Sequence, residues 1–196
     1  KNHNVLEIGS GIGTLTTLLA KYVKRGKVHG TDISAKSIEM ARHNLSAYKQ
    51  VTMHVTDMSD FSVNEKFDFV VMPDVLEHIP VEQHENLFKV IAAHSHKNTK
   101  ILIHIPHPEQ IKIQRKLQPE AMQIIDQSIF TDRLLSVVYP NGFYLHKLHS
   151  YSLFHENPDY QMIVFKANNE YTHLNTVSKG SVIRRKWLRR LYFMFS

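Results

Sequence analysis

Three glycines, Gly9, Gly11 and Gly13, stand in the segment VLEIGSGIGTLT, between an apolar β-type run and apolar residues at helical spacing. A glycine turn between a strand and a helix lets a ligand approach main-chain N–H groups closely, because no Cβ stands in the way. A dinucleotide fingerprint reads G-x-G-x-x-G and leaves the helix N-terminus free for a pyrophosphate. Here the third glycine comes one place early, Thr14 stands where that fingerprint has glycine, and Glu7 puts a carboxylate just ahead of the loop. Like charges repel, so a ligand without phosphates fits this turn better. Asp32 closes the next β-type run 19 residues after Gly13. A carboxylate there accepts hydrogen bonds from both hydroxyls of a ribose, so turn and acid together point to a nucleoside-containing ligand.

Both features need a parallel sheet to carry them to one rim, and the hydrophobic period supplies it by alternating between strand-like and helix-like. Asn4 to Ile8 reads as a strand, and Thr14 to Val23 as a helix presenting Leu15, Leu18, Leu19 and Val23. Lys27 to Asp32 is the second strand, Ser34 an N-cap, and Ile38, Met40, Ala41 and Leu45 the buried side of the next helix. Val51 to Val55 and Phe67 to Met72 follow as strands, the latter apolar on both faces apart from Asp68 and stopped by Pro73. Glu82 to Ala93 is helical and Ile101 to Ile105 is a strand closed by Pro106 and Pro108. Two helices separated by Pro119 are expected within 109–130, one carrying Ile111, Ile113 and Leu117 and one from Glu120 to Ser128. Thr131 to Tyr139 suits a helix, Pro140-Asn141-Gly142 a turn, and Tyr144 to Phe154 with Tyr160 to Ala167 an antiparallel pair. The expected fold is α/β: a Rossmann-like, doubly wound sheet of about seven strands, mostly parallel, with an antiparallel C-terminal pair.

The 196 residues allow one domain, and 42% hydrophobic with 21% charged residues is a globular composition. No apolar run is long enough to cross a membrane, the first residues lack a signal peptide's apolar centre, and the absence of cysteine excludes disulfides and thiolate chemistry, so a cytoplasmic setting is expected. The net charge of +6 is carried by six basic residues between 177 and 196, where there is no acid; the rest of the chain is balanced. A neutral body argues against duplex nucleic acid as its ligand. Residues 168–180 read as a linker. If helical, 181–196 sets Ile183, Trp187, Leu191 and Met194 opposite Arg185, Lys186, Arg189 and Arg190, with Arg184 intruding on the apolar side. Two uses stand side by side: a helix lying in an anionic membrane interface, or one docked on the body or on a second copy of the chain in a homo-oligomer.

VLEIGSGIGTLT, Asp32 and the later FDFVVMPDVLEHIP together resemble a class I S-adenosylmethionine-dependent methyltransferase over roughly residues 4–167. The resemblance is closest to the small-molecule enzymes of ubiquinone and menaquinone biosynthesis, in which the stretch after strand four reads Asp-x-x-Glu-His-aliphatic; Asp74-Val75-Leu76-Glu77-His78-Ile79 matches. It implies S-adenosyl-L-methionine as cofactor, a domain over 1–167, and 106–139 as a substrate-covering insertion. Glu7 and Gly9 would lie near the methionine part, within the loop completed by Gly11 and Gly13. Asp32 would hold the ribose. Asp57 would meet the adenine amino group, with Asp60 a weaker substitute, and Met58 would lie on the adenine face. Asp74 would sit by the methionine end and the reacting methyl. Such enzymes begin with helices that cover the cofactor, whereas Lys1 stands just before strand one, so part of the substrate pocket is expected to lie outside this sequence.

Methyl transfer from a sulfonium is an in-line displacement that asks for alignment and, for a hydroxyl nucleophile, removal of a proton. His78 and then His107 are the expected bases, with Asp74 beside them; for each histidine the competing role is structural. Asp74, Glu77, His78, His104 and His107 also raise the question of a metal, but they lack fixed ligand spacing, so no metal is expected. His94 and His96 are expected to serve a helix end. Phe143, Tyr144, Tyr151 and Phe154 are expected in the sheet core, with Tyr139 and Tyr144 also considered for the pocket border. The expected activity is methylation, on oxygen, of a small or lipid-linked acceptor. The alternatives are a nucleic-acid methyltransferase anchored by the basic tail, and a cofactor-binding scaffold without turnover.

Overall fold

Residues 2–168 and 176–194 are described in the computed structural model, the last five as backbone only. Residues 169–175 of the expected linker, and the side chains of Arg190, Leu191 and Met194, lie outside the described residues. Seven strands form one sheet: β1 (Val5–Ile8), β2 (Val28–Asp32), β3 (Val51–Val55), β4 (Phe67–Pro73), β5 (Ser95–Pro106), β6 (Phe143–Tyr151) and β7 (Tyr160–Ala167). Their order is β3-β2-β1-β4-β5-β7-β6. The first five are parallel, β7 runs antiparallel to β5, and β6 runs antiparallel to β7.

The helices are α1 (Thr14–Tyr22), α2 (Ala35–Asn44), α3 (Val81–Ala93), α4 (Pro108–Leu117), α5 (Thr131–Val138) and α6 (Lys179–Met194). Period-2 alternation divides the sheet between two cores. Leu6, Ile8, Val70, Met72, Ile101 and Ile103 pack with Leu87, Phe88 and Ile91 of α3 and Leu134 of α5. Val5 and Val28, with Phe69 and Val71, pack with Leu19 of α1 and the adjoining Val23. Ser34 caps α2 by accepting the Ser37 N–H at 3.2 Å.

Several local expectations change. The buried residues of α1 are Thr16 and Ala20, while Leu18 is 59% exposed, because Thr16 must reach a buried acid of β1. Met40 of α2 is likewise exposed. β5 begins earlier, at Ser95, where Thr99 Oγ1 donates to Phe67 O at 2.6 Å and ties the extension to β4. The helix expected over Glu120 to Ser128 is absent: Pro119–Ala121 makes one 3-10 turn, after which Gln127 N and Nε2 bond to Glu77 O and Ile79 O at 3.0 and 2.6 Å. Those long-range bonds replace the i→i−4 ladder. Ile113 and Leu117 of α4 are exposed.

Candidate active site

In an open parallel sheet the crevice beyond the carboxyl ends of the strands receives ligands, at the point where strand order reverses. Here that point lies between β1 and β4. The glycine loop leaves β1 and is stitched to β2, Gly9 N and Ser10 N each donating to Thr31 O at 2.9 Å. Gly9 has φ 76°, and a Cβ on it would stand 2.5 Å from Val75 Cγ2, so only glycine lets the β1 and β4 loops close together. Gly11 has φ 52° and nothing within 4 Å of its Cβ position, leaving its outer face open. Gly13 precedes α1 and accepts Thr17 N at 2.9 Å.

Asp32 ends β2 with its carboxylate held from both sides, Oδ2 by Gly11 N at 2.8 Å and Oδ1 by Ser34 N at 2.9 Å. Each oxygen retains acceptor capacity, and the two main-chain bonds fix where it is offered. Glu7 points into the protein instead: it is 1% exposed, and Thr16 Oγ1 donates to its Oε2 at 2.6 Å. Burial pushes its carboxyl up to about 7, against the lowering effect of the Thr16 bond. Within the glycine loop, buried Ser10 Oγ has no partner among the described residues.

The β3 end supplies a second wall. Asp57 is exposed, and hydrogen bonding from Ser59 holds its carboxyl below the usual range. Met58, with φ 70°, is 2% exposed and belongs to the main core. A cleft of about 210 Å³ opens there, lined by Asp57, Met58, Ser59, Ile79, Gln83 and Leu87.

At the end of β4, Asp74 takes φ 50°, a strained value for a residue other than glycine. Its N–H donates to His104 O at 2.8 Å and its Oδ1 lies 2.8 Å from His104 Nδ1. His104 Nε2 in turn lies 2.6 Å from Tyr151 Oη, and its ring stacks on Tyr160 at 4.7 Å. His78 turns away toward residues 119–127, its Nδ1 2.6 Å from Ile125 O and 3.1 Å from Asp126 Oδ1. His107 caps α4, Nδ1 accepting Glu109 N at 3.3 Å. Glu77 is 2% exposed with Oε2 unpartnered, and burial raises its carboxyl to about 7.

The rim thus gathers Gly9, Gly11, Asp32 and Asp74 over a buried Glu7, while His78 and His107 hold the insertion and a helix end. His104, Tyr151 and Tyr160 join the rim without having been singled out as bases. The available sign was the place of His104 next to the last residue of an expected strand. Of the aromatics expected in the core, Phe143 is buried, Tyr151 is half-buried and Phe154 is 76% exposed; Tyr144 lines a hollow with His3 and Lys97, and Tyr139 is exposed. His94 caps α3, its Nδ1 2.8 Å from Val90 O while Nε2 accepts Val63 N at 3.2 Å.

A family model described as a methyltransferase domain matches residues 5–98, the span from β1 into β5 that carries the loop, Asp32, Asp57 and Asp74. Residues 5–98 are a class I S-adenosylmethionine-dependent methyltransferase domain. Among relatives, the ribosomal protein L11 methyltransferase of Dictyoglomus turgidum is 34% identical over 89 residues, 45% of this chain and 29% of that one. The match therefore spans less than a third of that relative's length. An S-adenosylmethionine-dependent methyltransferase from Clostridium acetobutylicum shares the fold, with TM-score 0.69 and 11% identity over 85% of this chain and 84% of that one. So does the N-methyltransferase NodS from Bradyrhizobium japonicum in complex with S-adenosyl-L-homocysteine, with TM-score 0.68 and 15% identity over 85% and 79% of the two chains. The cofactor of the methyltransferase domain is S-adenosylmethionine. The residues present fit it: a carboxylate held by two main-chain N–H groups with acceptor capacity to spare, and an open glycine face.

Proposed function

We propose that the chain binds S-adenosylmethionine across the β1, β2 and β3 ends and transfers its methyl group to a hydroxyl of a small or lipid-linked acceptor entering beside Asp74. The observation that carries this is Asp32, whose two oxygens are set by Gly11 N and Ser34 N to receive the ribose hydroxyls. In that arrangement Gly9 faces the methionine part above the buried Glu7, Asp57 and the 210 Å³ cleft beside Met58 receive the adenine, and Asp74 borders the reacting centre. When bound, the sulfonium supplies an already activated methyl. The protein's own work is to align the acceptor, exclude water and take up a proton.

An apolar acceptor is favoured by the rim around β5. Asp159, 2% exposed, accepts Leu153 N and Phe154 N at 2.7 and 2.8 Å and so holds two apolar side chains outward, at 54% and 76% exposure. Ile124 is fully exposed on the segment after α4, within the 106–139 insertion. Along α6, Ile183 and Trp187 are exposed together with Arg184, Arg185, Lys186 and Arg189, which suits contact with an anionic membrane surface. No helix among the described residues is long and apolar enough to cross a membrane.

Calorimetry with S-adenosylhomocysteine tests the core of this. Binding to the wild-type chain and a loss of about 1–3 kcal/mol in Asp32→Ala, for unpaired ribose hydroxyls, are expected. Equal affinity in the two would remove Asp32 from the ribose.

A further inference from the structure

Asp74, directly after β4, His104 of β5 and Tyr151 of β6 meet in a line at the mouth of the crevice. An ionised carboxylate only accepts, so Nδ1 of His104 carries the hydrogen in its 2.8 Å bond to Asp74. A neutral imidazole protonated at Nδ1 has its lone pair on Nε2, and this receives the Tyr151 hydroxyl at 2.6 Å. The Tyr151 oxygen, its proton committed inward, keeps acceptor capacity for a donor arriving from outside. Tyr160 stacks on His104 at 4.7 Å, and Phe154 meets Tyr160 edge-on at 6.1 Å, so an aromatic surface adjoins that oxygen.

Resting on the methyl-transfer function above, we propose that Tyr151, backed by His104 and Asp74, forms the acceptor site for a phenolic or enolic hydroxyl and takes its proton during methylation. As the acceptor oxygen attacks the methyl carbon, its O–H proton passes to Tyr151 Oη while the Tyr151 proton passes to His104 Nε2. The electron pair of the broken S–CH₃ bond stays on sulfur, and the positive charge lost there reappears as an imidazolium beside Asp74. Tyr151 is the group that touches the acceptor; His104 and Asp74 act through it. The pKa of a phenol, near ~10, lies within a few units of an imidazole's ~6.5, whereas an alkyl hydroxyl, close to water at ~16, does not. The aromatic surface favours a flat ring bearing that hydroxyl. The groups facing the relay are Asp74 directly after β4, Tyr151 and, stacked on it at 5.8 Å, His149 from β6, and Tyr160 from β7, with the charges of Asp159 and Glu77 acting on the tyrosines. Burial first and then Asp74 push the Tyr151 phenol up, so it stays a hydroxyl that relays a proton.

The test uses the full chain saturated with S-adenosylhomocysteine and titrated with 4-nitrophenol at a pH where the free probe is neutral. Nitrophenolate absorbance and the ¹⁵N imidazole signal of His104 are read together. Expected are rising phenolate absorbance on binding and conversion of His104 to imidazolium, with at least a tenfold loss of both in Tyr151→Phe and of the phenolate absorbance in His104→Asn. Unfolding midpoints are measured for both variants, and Tyr151→Phe, which removes one oxygen, decides the matter if His104→Asn does not fold. Absence of probe binding, a probe bound neutral, an unmoved His104 signal or a Tyr151→Phe chain behaving like wild type would each overturn the acceptor site. Preference for benzylammonium over the phenol would overturn the hydroxyl assignment. Failure of S-adenosylhomocysteine itself to bind the wild-type chain would bring down the methyl-transfer function, whereas its binding without the phenol brings down the acceptor site alone.

Discussion

Two acids at the β1 and β2 ends have opposite environments. Asp32 receives two main-chain N–H groups at the rim, whereas Glu7 is enclosed with one hydroxyl donor. Burial moves Glu7 from 4.5 to about 7, so between those values the native chain keeps a proton that the unfolded chain has released. The stability linked to Glu7 is fully present below pH ~4.5 and lost as pH rises through ~7, at a cost of about 3 kcal/mol. Glu7→Gln keeps an acceptor for Thr16 and removes the charge. The variant is therefore expected to match wild type at pH 4 and to exceed it by about 1–3 kcal/mol at pH 8 in urea unfolding. Parallel curves at the two pH values would show that Glu7 is ionised at no cost.

Among the elements, α6 differs from the others because every described side chain on it is exposed. Five basic residues, from Arg184 to Arg190, each contribute about 1 kcal/mol near an anionic bilayer, and Trp187 with its apolar neighbours adds burial at the interface. The expectation is that the full chain sediments with anionic vesicles, less so as salt rises, and that a chain ending at Gly180 stays in the supernatant. Equal behaviour of the two chains would leave α6 as a packing element for the body or for a second copy. The β6–β7 connection is the complementary case, a short loop held by one buried carboxylate so that Leu153 and Phe154 face outward.

For the molecule as a whole, the antiparallel pair continues the parallel sheet in one core. Phe165 of β7 is fully buried, in the same cluster as Ile101 and Ile103 of β5 and Phe88 of α3. Phe165→Ala is expected to cost about 3–5 kcal/mol in a single cooperative urea transition. A cost below about 1 kcal/mol, or a second transition, would mean that β6 and β7 fold apart from the rest. Buried titratable groups oppose one another at this scale. Burial lowers His29 to about 4 and lowers His54 and His84, which removes stability as pH falls, while Glu7 and Glu77 remove it as pH rises.

The order of strands and helices, the glycine turn, the acid closing β2 and the basic tail were legible in the residues, because period, turn chemistry and local charge act over a few positions. Strand-terminal Asp32 needed no knowledge of neighbours to be recognised. The choice of histidine did. His78 carries the sequence match yet bonds to Ile125 and Asp126, 47 and 48 positions on, while His104 meets Asp74 30 positions back and Tyr151 47 positions ahead. The absent helix after Pro119 has the same origin, since Gln127 gives its hydrogen bonds to Glu77 and Ile79. The placing of β7 between β5 and β6 was equally a matter of tertiary pairing. Which polar groups satisfy one another across a folded chain depends on distances in space, and those exist only once the sheet has closed.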